Sequence, residues 1–549
     1  MANPVFIAGA ALTKFGKRSE TLEQMMIQAA ASAMTQAGAG PVDAIYLGVM
    51  DPSEFTGDSN LAALLADQLD LPGVPSSRVE TASSTGAAVL ETAFYAVASG
   101  FVNHALVVAG EKMTHLPTAQ TTQILARVID RVERSYGATM PALAAMIARR
   151  YAFKHGLDED GLSDALAAVA VKNHAAGALN PLAQFQKPID REKYLASRMV
   201  ADPLRIFDCA PISDGAAAMV LSNRPGLLNL VGVGHATDTL AVGRRGSLTS
   251  FNSTKQAALK AYRMAGLGPE SIDLAEVHDA FTIFEIIGSE DLGFFQPGQG
   301  WRAALEGETG PDGRLPINAS GGLKARGHPV GASGLAQVVE LAWQMNGQVE
   351  PERQLERVGV GLAQSIGGLA NNNLVTILAR TDQQRAWQVT EDIAFHPELA
   401  PSRPALHQES LKLGRGSLIT FTELHTPPQG FEPPLKMGYV QLGDGSVILA
   451  HDRLDQAPKV GATVTVDVEG EHFVYKHREA AAELIKQVGN LARHVVGWWS
   501  VVEDAGTSAV RASKAARLKA VRKKRQAEAT AEDNGKAKPG PAPDTDDQI

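Results

Sequence analysis

A chain of 549 residues exceeds what one hydrophobic core usually supports, so several domains are expected. Hydrophobic residues at 44% and charged residues at 20% suit large α/β domains, while the one cysteine, Cys209, excludes a disulfide framework or a cysteine-rich zinc site. The net charge of −9 speaks against general nucleic-acid binding.

The stretch from Met1 to Gly9 has no basic region followed by an apolar run, so no secretory signal is expected. No apolar run approaches the roughly 18 residues that span a bilayer. These features predict a soluble cytoplasmic protein with no membrane span.

Up to residue 380, short apolar runs alternate with Ala-rich helical patterns. Strands are predicted at 4–9, 44–49, 105–110, 217–221, 228–234 and 374–378, and helices at 21–37, 61–69, 86–99, 253–265 and 334–345. This alternation predicts a layered α/β fold with helices covering the sheets. Residues 113–200 interrupt it with helix-rich, polar sequence lacking strong strand signals, which reads as an insertion. Prolines around 380–404 suggest a linker, and from 415 to 475 short strands at 417–422, 437–442, 447–450 and 464–468 suggest a small barrel or sandwich. A helical segment near 476–502 follows, then a charged tail at 503–549 without an apolar face, expected to be disordered. The basic stretch at 511–525 within that tail reads as a solvated segment.

Four segments carry candidate chemistry. In Ser77-Arg78-Val79-Glu80-Thr81-Ala82-Ser83-Ser84-Thr85-Gly86 a short strand meets a tight turn and a helix. Ser83 therefore lies near a helix N-terminus, where amides and the helix dipole favour developing negative charge. A Ser-rich helix cap without chemistry would look the same, and Ser84 is the alternative hydroxyl in a shifted register. The second segment is Glu276-Val277-His278-Asp279-Ala280-Phe281. The third runs from Asn318 through Ser320 to Gly327-His328-Pro329, with glycines that permit unusual backbone angles beside a ligand. The fourth, Gly361 to Ser365-Ile366-Gly367-Gly368, reads as a Gly-rich turn before the last apolar strand.

In order and approximate spacing these segments resemble the signature loops of the thiolase superfamily, most closely the branch of sterol-carrier-protein-type and archaeal acetoacetyl-CoA thiolases. Ser83 falls where that branch keeps its nucleophilic cysteine, and His278-Asp279-Ala280-Phe281 matches its His-Asp-x-Phe loop. Gly327-His328-Pro329 matches the Gly-His-Pro loop, and Ser365-Ile366-Gly367 stands in the place of Cys-x-Gly. Asp208-Cys209-Ala210-Pro211-Ile212-Ser213-Asp214-Gly215 resembles the segment that closes the N-terminal half. The resemblance covers roughly residues 4–380. It implies a five-layered αβαβα fold of two pseudo-symmetric halves, 1–225 and 226–380, with a loop domain at about 113–200 over coenzyme A. A dimer through the N-terminal half, or a tetramer, is also implied, as is possible association with another acyl-CoA enzyme.

Residues 405–502, behind a linker at 381–404, resemble the OB-fold proteins that accompany thiolase-like enzymes, through Gly416-Ser417-Leu418-Ile419-Thr420-Phe421 and Leu442-Gly443-Asp444-Gly445. The four-cysteine zinc ribbon common in those partners is absent here, so no metal is expected. Carried over by position, Ser83 holds an acyl group and His328 activates it. His278 then steadies an oxyanion or enolate, and Ser365 lines the proton-transfer side. Gly327, Gly367, Gly368 and Ser320 are candidates for lining the coenzyme A ester, which is a substrate and not a resident cofactor. A serine hydroxyl is far less acidic than a thiol and needs an aligned base at the moment of attack. Three functions therefore stay open: an acyl-CoA C-acyltransferase or thiolytic enzyme acting through Ser83, a cysteine-independent retro-aldol lyase on a β-hydroxyacyl-CoA, and a non-catalytic acyl-CoA-binding subunit of lipid metabolism.

Overall fold

The computed structural model describes residues 3–38, 41–381, 414–453 and 458–477. The linker expected at 381–404 lies, past Thr381, outside the described residues, as do the helical segment expected beyond 477 and the tail at 503–549. The strands, in chain order, are β1 (Phe6–Leu12), β2 (Ala44–Gly48), β3 (Ser76–Val79), β4 (His104–Glu111), β5 (Met199–Ala201), β6 (Leu204–Arg205), β7 (Gly215–Ser222) and β8 (Leu228–Thr237). They continue with β9 (Leu274–Glu276), β10 (Val360–Gly367), β11 (Asn372–Arg380), β12 (Arg415–Leu424), β13 (Leu435–Leu442), β14 (Val447–Asp452), β15 (Thr463–Glu469) and β16 (His472–His477).

Nine strands follow one another by hydrogen bonding in the order β3-β2-β4-β7-β1-β8-β11-β10-β9. The N-terminal five and the C-terminal four meet through only two residue pairs, Phe6–Asn229 and Ile7–Leu228. Every residue of β7 and β10 is buried, and apart from Gln364 both read as small or apolar runs, the mark of strands covered on both faces. The cover is helical. Helix Leu22–Gln36, opened by a Thr21/Gln24 capping box, lies on β1, β4 and β7, and helix Asn252–Ala265 lies on β8 and β11. Between the sheets run helices Thr85–Ala98 and Ser333–Met345, which pack on each other. The layers are thus αβαβα.

Small residues make the central layer possible. A Cβ on Gly86 would lie 2.6 Å from Leu335 N and 2.9 Å from Gly331 O. A Cβ on Gly334 would lie 2.6 Å from Ala87 N. The N-terminal turns of the two inner helices therefore touch backbone to backbone.

The segment at 361–368 is not a turn: residues 360–367 are the interior strand β10. Its glycines look like turn signals but answer crowding, since a Cβ on Gly361 would meet Met345 Sδ at 3.0 Å and one on Gly367 would meet Thr81 O at 2.4 Å. Only at Gly368, with φ +60, does the chain turn.

The insertion is helical, mainly Met140–His155 and Glu159–Leu179, and ends in two short strands that the sequence pattern did not signal. Behind the second half, β12-β13-β14-β16-β15 close on one another as a five-stranded barrel, with β14 and β16 parallel. Four of those strands fall where the pattern placed them. The fifth, β16, carries charge and histidine (His472, Lys476 and His477) that hide its alternation. Strand β5 extends the barrel sheet through the Ala201–Leu424 pair.

The barrel has no separate core. Leu418, Met437, Val464 and Tyr475 share a buried cluster with Met146, Ile147 and Tyr151 of the insertion. Thr420 Oγ1 donates to Met146 O at 2.7 Å, Arg149 Nε donates to Phe421 O at 3.1 Å, and the Arg149 guanidinium sits 4.1 Å above the Phe421 ring. Among the described residues no helix is long and apolar enough to cross a membrane.

The Gly86 contact sets the first prediction. Gly86→Ala drives a methyl into the Leu335 amide and is expected to cost about 1–3 kcal/mol. The readout is a lower urea midpoint at unchanged slope. An unmoved midpoint would mean that the inner helices are not in contact there.

Candidate active site

Of the four hydroxyls in the first loop, those of Thr81, Ser84 and Thr85 bond within its own turn. Thr85 Oγ1 accepts from Thr81 N at 2.9 Å and donates to Ala82 O at 2.6 Å. Ser84, fully buried, donates from Oγ to Thr81 O at 2.7 Å. Both hydroxyls are spent on the turn. The turn also holds Ala82 at φ +55, a left-handed conformation that costs a non-glycine residue about 1–2 kcal/mol. Ser83, 8% exposed, follows directly, one residue before the Ser84 cap of helix Thr85–Ala98.

His278 stands just past β9. Its backbone N donates to Gln364 Oε1 at 2.9 Å, and its ring Nδ1 accepts from Ile366 N at 3.2 Å. An Nδ1 that accepts leaves the proton on Nε2, so His278 is a donor. The neighbouring Asp279 accepts from Leu323 N at 2.6 Å and from Asn173 Nδ2 at 2.7 Å, and fixes the third loop instead of facing a ligand. Burial pushes its carboxyl up to about 6, and the nearby Glu285 adds to the rise.

In the third loop, Gly321, Gly322 and Gly327 adopt φ of +99, +58 and +115, which brings His328 round beside His278. The two rings meet edge to face, with centroids 5.3 Å apart and planes at 90°. His328 N donates to Ser213 Oγ at 2.8 Å. Ser333 Oγ lies 2.9 Å from Pro329 O and 2.7 Å from His328 Nδ1; when its proton goes to Pro329 O, Nδ1 carries the ring proton and Nε2 keeps its lone pair. The pair is then a donor and an acceptor. Burial disfavours the charged form of both rings: His278 is held well below the ordinary imidazole range, and His328 falls to about 3, with Arg326 as the second cause.

Ser320 is buried, its Oγ donating to Glu276 Oε2 at 2.6 Å within a network that includes Arg326. Burial raises Glu276 to about 7 despite Arg326. In the fourth segment, Ser365 Oγ is buried and has no hydrogen-bond partner among the described residues, and a Cβ on Gly334 would approach it to 2.7 Å. A Cβ on Gly367 would meet Ser84 Oγ at 2.6 Å, so this glycine lets the fourth segment lie against the first. Gly368 turns the chain away. All four loops are therefore in contact around the paired histidines.

Sequence reasoning missed Glu111, at the end of β4. Its Oε2 accepts from Met50 N at 2.9 Å and from Gly331 N at 3.1 Å, tying the first sheet to the loop after His328. Burial pushes this carboxyl up to about 8. The only sequence signal was a charge ending an otherwise apolar strand. Cys209 is no substitute nucleophile: its thiol donates to Arg205 O, and burial, with Asp208 nearby, pushes it up to about 12. No group of three or more metal-ligating side chains occurs among the described residues.

A layered αβαβα body in which the start of an inner helix, two histidine loops and the interior strand β10 come together is the architecture of enzymes that act on coenzyme A thioesters. A family model described as "Thiolase, N-terminal domain" matches residues 5–225, and one described as "Thiolase C-terminal domain-like" matches residues 234–380. The chain belongs to the thiolase family. The acetyl-CoA acetyltransferase of Methanothermobacter thermautotrophicus is 39% identical over 389 residues, covering 68% of this chain and 99% of that protein. Sterol carrier protein 2 of Bos taurus is 30% identical over 388 residues, covering 67% of this chain and 70% of its own. Among solved structures, the "Ltp2-ChsH2(DUF35) aldolase" superposes with TM-score 0.60 at 25% identity, covering 70% of this chain and 99% of that one. A monomeric SCP2-thiolase like protein type 1 from Mycobacterium smegmatis reaches TM-score 0.67 at 16% identity, covering 86% of this chain and 99% of that one, a likeness of fold.

Glu111 generates a pH prediction. Its pKa is raised by folding, so its contribution is fully present below the unfolded value near 4.5 and is lost as pH rises through about 8. Glu111→Gln keeps the two acceptor contacts and removes the titration. Wild type is expected to lose stability relative to the variant across that window, with a limiting slope of about 1.4 kcal/mol per pH unit. Parallel stability curves for the two proteins between pH 5 and 8 would refute it.

Proposed function

We propose that the protein makes or breaks the C2–C3 bond of a 3-ketoacyl-CoA, with Ser83 carrying the acyl group. The observation that supports this best is the edge-to-face pair of buried, uncharged imidazoles, one of them with its Nδ1 accepting from the Ile366 amide and so with an N–H to offer. In the cleavage direction Ser83 Oγ attacks the C3 carbonyl and its proton passes to Nε2 of His328. The C2–C3 bond breaks, the electron pair stays on C2, and the resulting thioester enolate accepts a hydrogen bond from Nε2–H of His278. His328 returns the proton to C2 on the side lined by Ser365. The thiol of coenzyme A then displaces the Ser83 ester, and its proton restores the serine hydroxyl. The depressed basicity of His328 is the obstacle. It is overcome only as negative charge grows beside the ring, so the base acts in concert with attack. Gly327, Gly367, Gly368 and Ser320 shape the loops around the ester; no residue binding its nucleotide is assigned.

A second reading has specific support: a 25% identical structure is that of an aldolase, and a serine needs no part in that chemistry. His328 would take the hydroxyl proton of a 3-hydroxyacyl-CoA and C2–C3 would break to a carbonyl product and the same enolate. The barrel's strand order supports an OB-type domain that borders the acyl channel, and association of two chains through the N-terminal half belongs to this proposal.

Incubation with acetyl-CoA or acetoacetyl-CoA is expected to add an acyl group at Ser83, seen by intact mass and peptide mapping. The adduct is expected to vanish in Ser83→Ala and to form at least about 100-fold more slowly in His328→Ala, the usual scale of a lost general base. No adduct, together with carbonyl release from a 3-hydroxyacyl-CoA without uptake of free coenzyme A, would transfer the assignment to the lyase. Binding without either would leave a carrier.

A further inference from the structure

The barrel reaches the catalytic loops through a buried chain of polar contacts. Tyr439, on β13 and 1% exposed, donates its hydroxyl to Glu133 Oε1 of the insertion at 2.5 Å. The same oxygen accepts from Gly243 N at 2.9 Å, and a Cβ on Gly243 would lie 2.6 Å from the Tyr439 ring. Glu133 thereby holds the short turn Val242–Arg244 against the barrel. The next residue, Arg245, is 3% exposed. Its Nε donates to Thr239 O at 2.8 Å, one terminal nitrogen to Leu240 O at 3.3 Å, and the other to Leu369 O.

Leu369 is the second residue beyond Gly367, in the loop that leaves the catalytic strand. The two carbonyls that follow are also held: Ala370 O by Ser253 Oγ at 2.7 Å and Asn371 O by Asp238 N at 2.8 Å. Just before them, Ile366 N is the donor that fixes the His278 ring. Ile366, Leu369 and Ala370 belong to the same buried apolar cluster as Tyr439, Val440 and Leu418 of the barrel. Glu133, Arg245 and Tyr439 are all removed from water, so each depends on its partners. A buried carboxylate deprived of one donor, or a buried guanidinium deprived of an acceptor, leaves an unmet demand that the neighbouring backbone must move to satisfy.

We propose that Tyr439 is a positioning residue for the active site, acting through Glu133 and Arg245 to hold the Leu369 loop and with it the Ile366 amide that sets the His278 tautomer. The barrel is on this account part of the frame of the catalytic strand. The inference rests on His278 belonging to the site, but its test needs no turnover. Hydrogen exchange read by mass spectrometry on the full chain compares wild type with Tyr439→Phe, Glu133→Gln and Arg245→Lys. Peptides covering 366–371 are expected to exchange roughly 5–30-fold faster in each variant, the effect of losing one or two such contacts. Peptides from β1 and β4 are expected to stay unchanged. Acceleration confined to 133–137 and 437–443 would overturn the proposal, because the barrel contact would then end at its own interface. Uniform acceleration across the chain would overturn it too, because Tyr439 would then serve general stability only. Should Tyr439→Phe fail to fold, Glu133→Gln and Arg245→Lys, which keep side-chain volume, carry the same comparison. Where Ser83 acylation is observed, Tyr439→Phe is further expected to slow acylation with little change in acyl-CoA affinity.

Discussion

The touch of backbone on backbone where Gly86 meets Leu335 and Gly334 meets Ala87 is the constraint on which the site depends. Each inner helix begins at a candidate site loop, one after Ser83 and the other after the Gly-His-Pro turn. Their close approach brings both helix starts into direct contact. Any larger side chain at the crossing would separate the hydroxyl from the imidazoles before it changed any catalytic group.

Around that crossing the protein keeps its charges neutral where it can. His278 and His328 are uncharged through burial, Glu111 holds its proton at neutral pH, and Glu276 is held near it. Under the proposed reaction, uncharged imidazoles suit steps in which charge appears only in passing. A thiolate would add a standing negative charge to such a pocket. A serine does not. Under the proposed reaction its burden lies instead in the proton transfer, and the Nδ1 atoms of both rings are held, one by a backbone amide and the other by a hydroxyl.

Most of the body was legible because its rules are local. Apolar runs and Ala-rich periodicity placed β2, β4, β7, β8 and β11 and the helices that cover them, and the four motifs picked out in the sequence lie in contact in the fold. What was not legible depends on partners distant in the chain. The glycines of β10 signal a turn until Met345 and Thr81 are seen pressing on them. Glu111 is a lone charge until Met50 and Gly331 converge on it, and the roles of Ser83 and Ser84 separate only when the hydroxyl of Ser84 is found bound to Thr81. Strands β5 and β6 are too short for any period and exist because the barrel offers them an edge.

That edge has a consequence for how many copies of each part the molecule contains. The barrel lays its apolar surface on the helical insertion and shares one core with it, an arrangement equivalent to a subunit interface enclosed within a chain. Covalent continuity makes their meeting intramolecular, at an effective concentration on the order of millimolar. One barrel therefore accompanies each body at any protein concentration, and dilution cannot strip it away. An interface freed from the need to assemble from separate pieces can afford buried polar contacts such as Tyr439 with Glu133, which align more than they bind.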